Sequence, residues 1–268
     1  MDKDLIYDFG MHVGEDTDFY LKKGFRVVAV EGLPALCEVA EKRFLAAVRS
    51  GQLTIVNSAV VAQAGPVSFF VNPHSVWGTV NREWADRNAR LGSASTTEIT
   101  VPGVLASDLL DEHGTPYYMK IDIEGSDRLC LEALRNRKDR PEHVSIESDK
   151  VSWAGLLAEF DLFQEFGYRR FKVVWQSAVP KQALPSPALE GRDVQHSFPV
   201  GSSGAFGEEA PGPWMTRDQA LARYRQIFLQ YRLFGDDIAS RRSASALLGR
   251  AVRHIFGIPG WYDTHASF

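Results

Sequence analysis

The residues best suited to ligand chemistry lie near the N-terminus. The segment Asp8-Phe-Gly-Met-His-Val-Gly14 follows an apolar run and precedes a helical pattern, and Glu31 ends the next apolar run. Gly10 lets the chain turn tightly and approach a ligand without a Cβ in the way. The start of the following helix offers unpaired N–H groups, and an acid at the tip of a second strand accepts ribose hydroxyls. This layout predicts a nucleoside-binding loop.

The acid at position 8 narrows the choice of nucleoside. A dinucleotide-binding loop has the pattern GxGxxG, whereas this loop reads DxGxxxG. Asp8 would repel a pyrophosphate but would attract an amino group. S-adenosyl-L-methionine has an amino acid end and no phosphate. It is therefore the expected cofactor, with S-adenosyl-L-homocysteine as the product, and a nicotinamide or flavin cofactor is the alternative.

Three further carboxylates end two later strands. Asp122 and Glu124 close the run YYMKIDI and point to one side of it, and Glu147 ends the run HVSIE. We expect them to meet where an acceptor binds, with Glu124 as the base or acceptor-orienting group and Asp122 and Glu147 in support. In the alternative, Asp122 contacts the cofactor and Glu124 only caps the helix that starts near Ser126. Their oxygens would suit a divalent metal, but no metal site is predicted.

Histidine and tryptophan residues supply the remaining candidates. His12 is a second candidate base because the ordinary pKa of histidine is close to neutral. Its alternative is a loop histidine bonded to the backbone. His74, Trp77 and Trp84 belong to an irregular segment that we expect to overhang the site and to pack on an acceptor such as a sugar ring, unless they serve ordinary packing.

The elements that must position these residues follow an alternating pattern. Short apolar runs alternate with helical patterns as far as Trp175, which predicts an α/β fold with a central, mostly parallel sheet and helices on both faces. Right-handed crossovers then place the loops after the strands along one edge, where ligands bind. The predicted strands are Leu5–Phe9, Phe25–Glu31, Leu53–Val60, Val67–Val71, Glu98–Pro102, Tyr117–Ile123, His143–Ile146 and Tyr168–Trp175.

The pattern changes after residue 178. Residues 1–178 are predicted to form a Rossmann-like nucleoside-binding core, and the Gly/Pro-rich residues 179–215 an insertion or lid that completes the sheet or the acceptor pocket. Residues 216–268 are predicted to form a helical C-terminal extension. It contains an amphipathic helix at Thr216–Leu233, a candidate homo-oligomer interface, and a second helix around Ala244–Phe256.

Composition restricts the class of protein. The chain has 268 residues, 44% of them hydrophobic and 24% charged, with a net charge of −4, as expected of a globular protein. It has no long basic stretch that would suit nucleic acid. It shows no apolar run long enough for a membrane span and no signal peptide, so we expect a cytoplasmic protein. Cys37 and Cys130 are expected to be reduced core thiols.

Several segments resemble one known family. The stretch DFGMHVGEDTDFYLKKGFRVVAVEGLP resembles the opening of the FkbM family of methyltransferases, and Met119-Lys-Ile-Asp-Ile-Glu-Gly125 resembles that family's K-[IV]-D-[IV]-E-G turn. The segments 201–208 and 261–266 resemble stretches from one branch of it. The resemblance implies a class I methyltransferase fold and methyl transfer to a hydroxyl oxygen, in the tailoring of natural products or glycans.

The resemblance also implies a set of cofactor-binding residues. Asp8, Gly10 and Gly14 would line the methionine end, and Glu31 would hold the ribose. The full expected set is Asp8, Gly10, His12, Gly14, Glu31, Gly32, Asn57, Ser58, Ala59 and Asp122. His12 departs from the family, which more often has Asn there. The alternative functions are a nicotinamide-dependent oxidoreductase and a non-catalytic nucleoside-binding module.

Overall fold

The computed structural model describes residues 1–71, 78–80, 97–123, 125–149, 152–234 and 260–268. Its strands are β1 (Asp2–Phe9), β2 (Arg26–Glu31), β3 (Leu53–Asn57), β4 (Ala59–Val60), β5 (Gly65–Val71), β6 (Thr97–Val104), β7 (Pro116–Ile121), β8 (His143–Glu147), β9 (Arg170–Trp175) and β10 (Tyr262–Ser267). Its helices are α1 (Glu15–Lys22), α2 (Pro34–Arg43), α3 (Leu45–Arg49), α4 (Ala106–His113), α5 (Asp127–Glu132), α6 (Trp153–Glu165) and α7 (Arg217–Phe234).

A seven-stranded sheet organises the fold. Its strand order is β3-β2-β1-β7-β8-β10-β9. The pairs from β3 through β8 are parallel, and β10 runs antiparallel to both of its neighbours. The chain moves outward from β1 through β2 to β3 and then returns to add β7 on the other side of β1. This reversal of strand order creates a crevice at the carboxyl ends of the strands, and the predicted α/β class is confirmed.

The last strand differs from the sequence-based expectation. We expected Tyr168–Trp175 to be the final strand and the tail to be helical, yet β10 lies between β8 and β9 with every residue buried. Its sequence YDTHAS has no apolar alternation, which is why periodicity does not reveal it. Thr264 instead joins a buried hydroxyl network, 2.6 Å from Ser148 Oγ and 2.7 Å from the Tyr224 hydroxyl. The helix predicted around 244–256 lies outside the described residues.

A second, three-stranded sheet carries part of the ligand crevice. Its order is β4-β6-β5, with β4 parallel and β5 antiparallel to β6. We expected Leu53–Val60 to be one strand, but the chain leaves the main sheet after Asn57 and enters the small sheet at Ala59. This sheet places Phe69 against Gly32, where a Cβ would lie 2.7 Å from the ring.

The two faces of the main sheet are covered differently. One face packs on α4 to α7 through an apolar core. The other packs on α1 to α3 and on residues 179–215, whose Phe198 and Phe206 join the core around Phe19. Phe206 stacks on Tyr118 of β7, with ring centroids 4.5 Å apart. The segment is further tied down by a buried ion pair of 2.8 Å between Lys23 and Glu209. It therefore acts as a structural layer of the fold.

Candidate functional site

A cavity lies at the carboxyl ends of β1, β2 and β7, where the strand order reverses. Ligands of open α/β sheets bind at this position. The cavity is lined by Gly10, Met11, His12, Glu15, Asp16, Val30, Glu31, Gly32, Ser58, Ala59, Val60, Phe69, Gly78, Val80, Lys120, Asp122, Ile123, Ser126, Val200 and Gly201.

Gly10 joins the loop after β1 to the end of β7. Its N–H donates to the carbonyl oxygen of Val30 at 2.9 Å, and its φ is +82°. A Cβ at this position would lie 1.8 Å from the carbonyl oxygen of Asp122. Only glycine fits here, because the φ is left-handed and the neighbouring atom is backbone that has no rotamer to move to.

His12 has an unusual backbone conformation. Among the described residues it is the one non-glycine with a left-handed φ, +55°. This conformation directs its N–H to Glu31 Oε2 at 3.0 Å. Its Nδ1 lies 2.9 Å from Glu15 Oε1, and this bond raises the pKa of His12 despite the opposing effect of burial. The imidazole therefore forms an ion pair with Glu15 at the cavity wall when it is protonated.

Glu31 is held in place by two main-chain donors. Oε2 accepts from the N–H of His12 and Oε1 from the N–H of Leu33 at 2.8 Å. Burial raises the pKa of Glu31, and these two bonds oppose the rise. Two bonds use about half of the acceptor capacity of a carboxylate. The remaining lone pairs are available to hydroxyl groups of a ligand in the cavity.

Three residues of the expected cofactor set do not line the cavity. Asp8 is fully buried, accepts from the Thr17 hydroxyl at 2.6 Å and pairs with Lys120 at 3.2 Å. Gly14 forms the left-handed N-cap of α1. Asn57 donates to the carbonyl oxygens of Glu31 and Gly32 at 3.0 and 3.4 Å, which fixes the tip of β2. The members of the set that line the cavity are Gly10, His12, Glu31, Gly32, Ser58, Ala59 and Asp122.

Lys120 is a central residue to which sequence reasoning assigned no role. Its ammonium donates to the carbonyl oxygen of Gly10 at 2.9 Å. It lies 3.2 Å from Asp8 and 3.8 Å from both Asp16 and Asp122. Burial would lower the pKa of Lys120, but the carboxylates outweigh it and the pKa is raised. The lysine of the K-[IV]-D-[IV]-E-G pattern was the signal that could have revealed it.

Asp16 is the second residue that sequence reasoning missed. The local sequence favours Asp16 or Thr17 as the cap of α1, but Gly14 is the N-cap and makes no side-chain cap bond. The Asp16 carboxylate instead lines the cavity, with both oxygens 3.0 Å from the N–H of Ser203. Burial raises its pKa to about 7, against the opposing charge of Lys120. Nothing in the local sequence reveals a contact with a residue so distant in the chain.

The expected catalytic carboxylates are only partly described. Glu124 lies outside the described residues. Asp122 lines the cavity, whereas Glu147 ends β8 in register with Asp263 of β10. Burial raises the pKa of Asp263, and the charges of Asp122 and Glu147 raise it further. Asp263, a carboxylate from the strand that the sequence did not reveal, is thus close enough to interact with both Asp122 and Glu147.

The turn after β7 is held by the side chain of Asp127. Asp127 accepts the N–H groups of Ile123 and Gly125, each at 2.9 Å. Burial raises its pKa to about 6. Among the described residues, no group of three His, Cys, Asp or Glu side chains is arranged to hold a metal ion. His74, Trp77 and Trp84 lie outside the described residues.

The described wall of the cavity has an excess of negative charge. Glu15, Asp16, Glu31 and Asp122 contribute carboxyl groups. The lysine among the described lining residues, Lys120, is paired with the buried Asp8. A phosphate-bearing ligand would be repelled by this wall, and a cationic ligand would be attracted.

The strand order and the crevice define a class I methyltransferase fold. The methyltransferase FkbM domain matches residues 8–170, and the chain belongs to this methyltransferase family. No curated protein matches the chain.

Two solved structures are similar to part of the chain. One is precorrin-6y C5,15-methyltransferase from Geobacter metallireducens, at 13% identity and a TM-score of 0.39, with 65% of this chain and 68% of that chain covered. The other is precorrin 8W decarboxylase from Methanobacterium thermoautotrophicum, at 11% identity and a TM-score of 0.35, with 65% and 69% covered.

Two further observations concern the chain outside the site. Cys37 and Cys130 are free and buried, as expected of core thiols. In the described part of the chain, no helix combines the length and the apolar character that crossing a bilayer requires.

Proposed function

We propose that the chain transfers a methyl group from S-adenosyl-L-methionine to a hydroxyl oxygen of a small molecule or glycan. The observation that carries the proposal is the acidic cavity at the strand reversal, with Glu31 presented by two main-chain N–H groups. A sulfonium nucleoside has a positive charge, a ribose and no phosphate, so it complements this wall. When bound, it supplies an electrophilic methyl group.

The cavity divides into two ends in this proposal. The nucleoside end consists of Glu31, Gly32, Ser58, Ala59 and Phe69. There, Glu31 accepts the ribose hydroxyls, and the Phe69 ring, packed on Gly32, offers a flat apolar surface to a base.

The acceptor end consists of Asp16, Lys120, Asp122, Val200 and Gly201. It combines carboxylates that accept bonds from hydroxyl groups with one exposed apolar side chain, Val200, which is 83% exposed. A hydroxylated acceptor suits this combination. The insertion 179–215 thereby contributes to the acceptor pocket, although its deletion would also remove core residues such as Phe206. Val200→Asp is therefore the better probe of this contribution.

The residues that the sequence suggested as the base have different roles in the proposal. Asp122 lines the acceptor end and can orient a hydroxyl. Glu124 is proposed on sequence grounds alone. His12 is bonded to Glu15 through Nδ1, so a proton from an acceptor would have to go to its other ring nitrogen, Nε2. Glu147 lies beside Asp263 in the sheet and acts in the proposal through its charge on the neighbouring carboxylates.

Calorimetry with S-adenosyl-L-homocysteine and with NAD tests the cofactor. We expect binding of the first and none of the second, whereas binding of NAD alone would overturn the proposal in favour of an oxidoreductase. Transfer is then tested by incubating the protein and S-adenosyl-L-methionine, tritiated at the methyl group, with an extract of cells that lack the gene. Label should enter an extract component and survive mild alkali that cleaves methyl esters. Binding without label in any component would favour the nucleoside-binding module.

A further inference from the structure

Asp16 lines the cavity, and its buried carboxylate lies between a main-chain N–H group and a lysine. It lies in the first turn of α1, and its buried carboxylate reaches the acceptor end, where both oxygens are 3.0 Å from the N–H of Ser203. Lys120 lies 3.8 Å from one oxygen. Asp8, the closer partner of Lys120, is engaged by the Thr17 hydroxyl and does not line the cavity.

We propose that Asp16 is the general base of the methyl transfer. Its carboxylate takes the proton of the acceptor hydroxyl while the acceptor oxygen forms a bond to the methyl carbon and the sulfur–methyl bond breaks. The products are the methyl ether, S-adenosyl-L-homocysteine and protonated Asp16, which returns its proton to solvent. This role rests on the proposed function. It identifies the base of that reaction as a residue of the described cavity wall.

The geometry distinguishes Asp16 from Glu31 and Glu15, two other carboxylates of the cavity wall. Glu31 is fixed at the nucleoside end by two main-chain donors, and Glu15 is bonded to His12. The single N–H of Ser203 orients Asp16 and leaves acceptor capacity on both of its oxygens. The neighbouring ammonium of Lys120 stabilises the carboxylate form before transfer without donating to it at hydrogen-bond distance.

The charges around Asp16 suit a base that works near neutral pH. Burial raises the pKa of Asp16, Lys120 lowers it and Asp8 raises it, and the result is a pKa of about 7. A base whose pKa lies near the working pH is the most effective in proton transfer. The titratable groups that act on Asp16, or on which it acts, are Asp8 of β1, Tyr20 of α1, Tyr118, Lys120 and Asp122 of β7, and Asp263 of β10.

The test compares Asp16→Asn with Asp18→Asn in the tritium assay with extract. Asn keeps the shape and an acceptor oxygen for Ser203, and Asp18 lies on the same helix but pairs with Lys22 and does not line the cavity. We expect Asp16→Asn to lose about 10²–10⁴-fold in rate and to lose the rise in rate through pH 7. Its affinity for S-adenosyl-L-homocysteine should stay within about threefold, because a base interacts with the acceptor. Asp18→Asn should retain the rate and the pH profile.

Two results would overturn the role of Asp16. One is an unchanged rate and pH profile in Asp16→Asn. The other is weakened binding of S-adenosyl-L-homocysteine with an unchanged pH profile, which would make Asp16 a ligand of the cofactor's amino group. If the wild-type protein itself ignores S-adenosyl-L-homocysteine, the proposed function fails instead, so the two failures are separable.

A second pair of variants tests the role while the carboxylate is kept. Ser203→Pro removes the N–H that lowers the pKa of Asp16, so the midpoint of the pH–rate profile should move up by about one unit. Ser203→Ala keeps the N–H, and the midpoint should stay in place. An unmoved midpoint in a folded Ser203→Pro protein that binds S-adenosyl-L-homocysteine would contradict the role. If Ser203→Pro does not fold, the pH profile of Asp16→Asn decides.

Discussion

The two ends of the cavity are built in different ways. The core of the nucleoside end comes from one β–α–β unit, in which the loop after β1 bonds to the tip of β2 through His12 and Glu31. The acceptor end joins α1 to β7 and to the insertion, because Asp16 accepts from Ser203 and faces Lys120. Short spacing in the chain specifies the first, and packing between distant segments specifies the second.

The difference also appears in the electrostatics. At the nucleoside end, Glu31 is surrounded by main-chain donors whose positions follow from the loop geometry. At the acceptor end, Asp16 shares one lysine with two other carboxylates, so its protonation depends on all of them. The binding role of Glu31 can therefore be predicted from its local sequence. The protonation state of Asp16 can be predicted only when all the charged groups around it are known.

The largest effect is expected from Gly10→Ala, which should disrupt both ends at once. The added Cβ would lie 1.8 Å from the Asp122 carbonyl oxygen, in a left-handed conformation. We expect a loss of more than about 3 kcal/mol in the free energy of unfolding, since left-handed strain alone costs about 1–3 kcal/mol. Binding of S-adenosyl-L-homocysteine should also be lost. Chemical denaturation and calorimetry measure the two effects.

Gly51→Ala is the matched control for this prediction. Its φ is +74°, but an added Cβ would meet no atom within 4 Å. We expect a loss of about 1–2 kcal/mol from the conformation alone and unchanged binding. Equal losses in the two variants would show that the contact between the β1 loop and Asp122 does not hold the ends together.

The next effect is confined to the nucleoside end. Glu31→Gln puts an amide NH₂ where one of the two main-chain N–H groups now donates, so one donor loses its partner. A hydrogen bond to a charged group is worth about 1.5–3 kcal/mol, and we expect affinity for S-adenosyl-L-homocysteine to fall about 10–100-fold. Glu38→Gln, on the exposed side of α2, should bind as the wild type does. Calorimetry that finds full affinity in Glu31→Gln would remove Glu31 from the ribose site.

The same division explains how much of the site the sequence predicts. Gly10 and His12 of the loop after β1, together with Glu31 and the pair Ser58–Ala59, are local features, and the structure brings them to one cavity. Asp8 and Gly14 of the same loop do not line it. Asp16 looked like a helix cap because only its neighbours in the chain were considered. Its partner Ser203 lies in a Pro- and Gly-rich segment without periodicity, so no pattern predicts the contact.

The fold shows the same limit. Strands with apolar or β-branched runs, such as β2 and β8, are evident in the sequence because their burial needs no partner of special chemistry. The strand β10 is buried although most of its side chains are polar, and its Thr264 hydroxyl bonds to Ser148 and Tyr224. A polar strand of this kind is recognisable only when its hydrogen-bond partners are known.

Asn57→Ala tests whether Asn57 contacts the cofactor or only fixes the tip of β2. The family resemblance implies that Asn57 contacts the cofactor, whereas its amide donates to the carbonyl oxygens of Glu31 and Gly32. We expect the free energy of unfolding to fall by about 1 kcal/mol and the affinity for S-adenosyl-L-homocysteine to change less than about threefold. Calorimetry and thermal denaturation of the same sample provide both values. A tenfold loss of affinity with unchanged stability would place Asn57 in contact with the cofactor.

The smallest effect concerns the pH dependence of stability at His12. The hydrogen bond that the protonated imidazole of His12 donates to Glu15 raises the folded-state pKa of His12 above its value in the unfolded chain. The pair therefore stabilises the fold fully below the unfolded pKa, near 6.5, and this contribution is lost as pH rises through the folded pKa. His12→Asn should be less stable than the wild type at pH 6 by about 0.5 kcal/mol, and the difference should vanish at pH 9. Asn tolerates the left-handed φ as His does, so a difference that persists at pH 9 would locate the effect in the backbone.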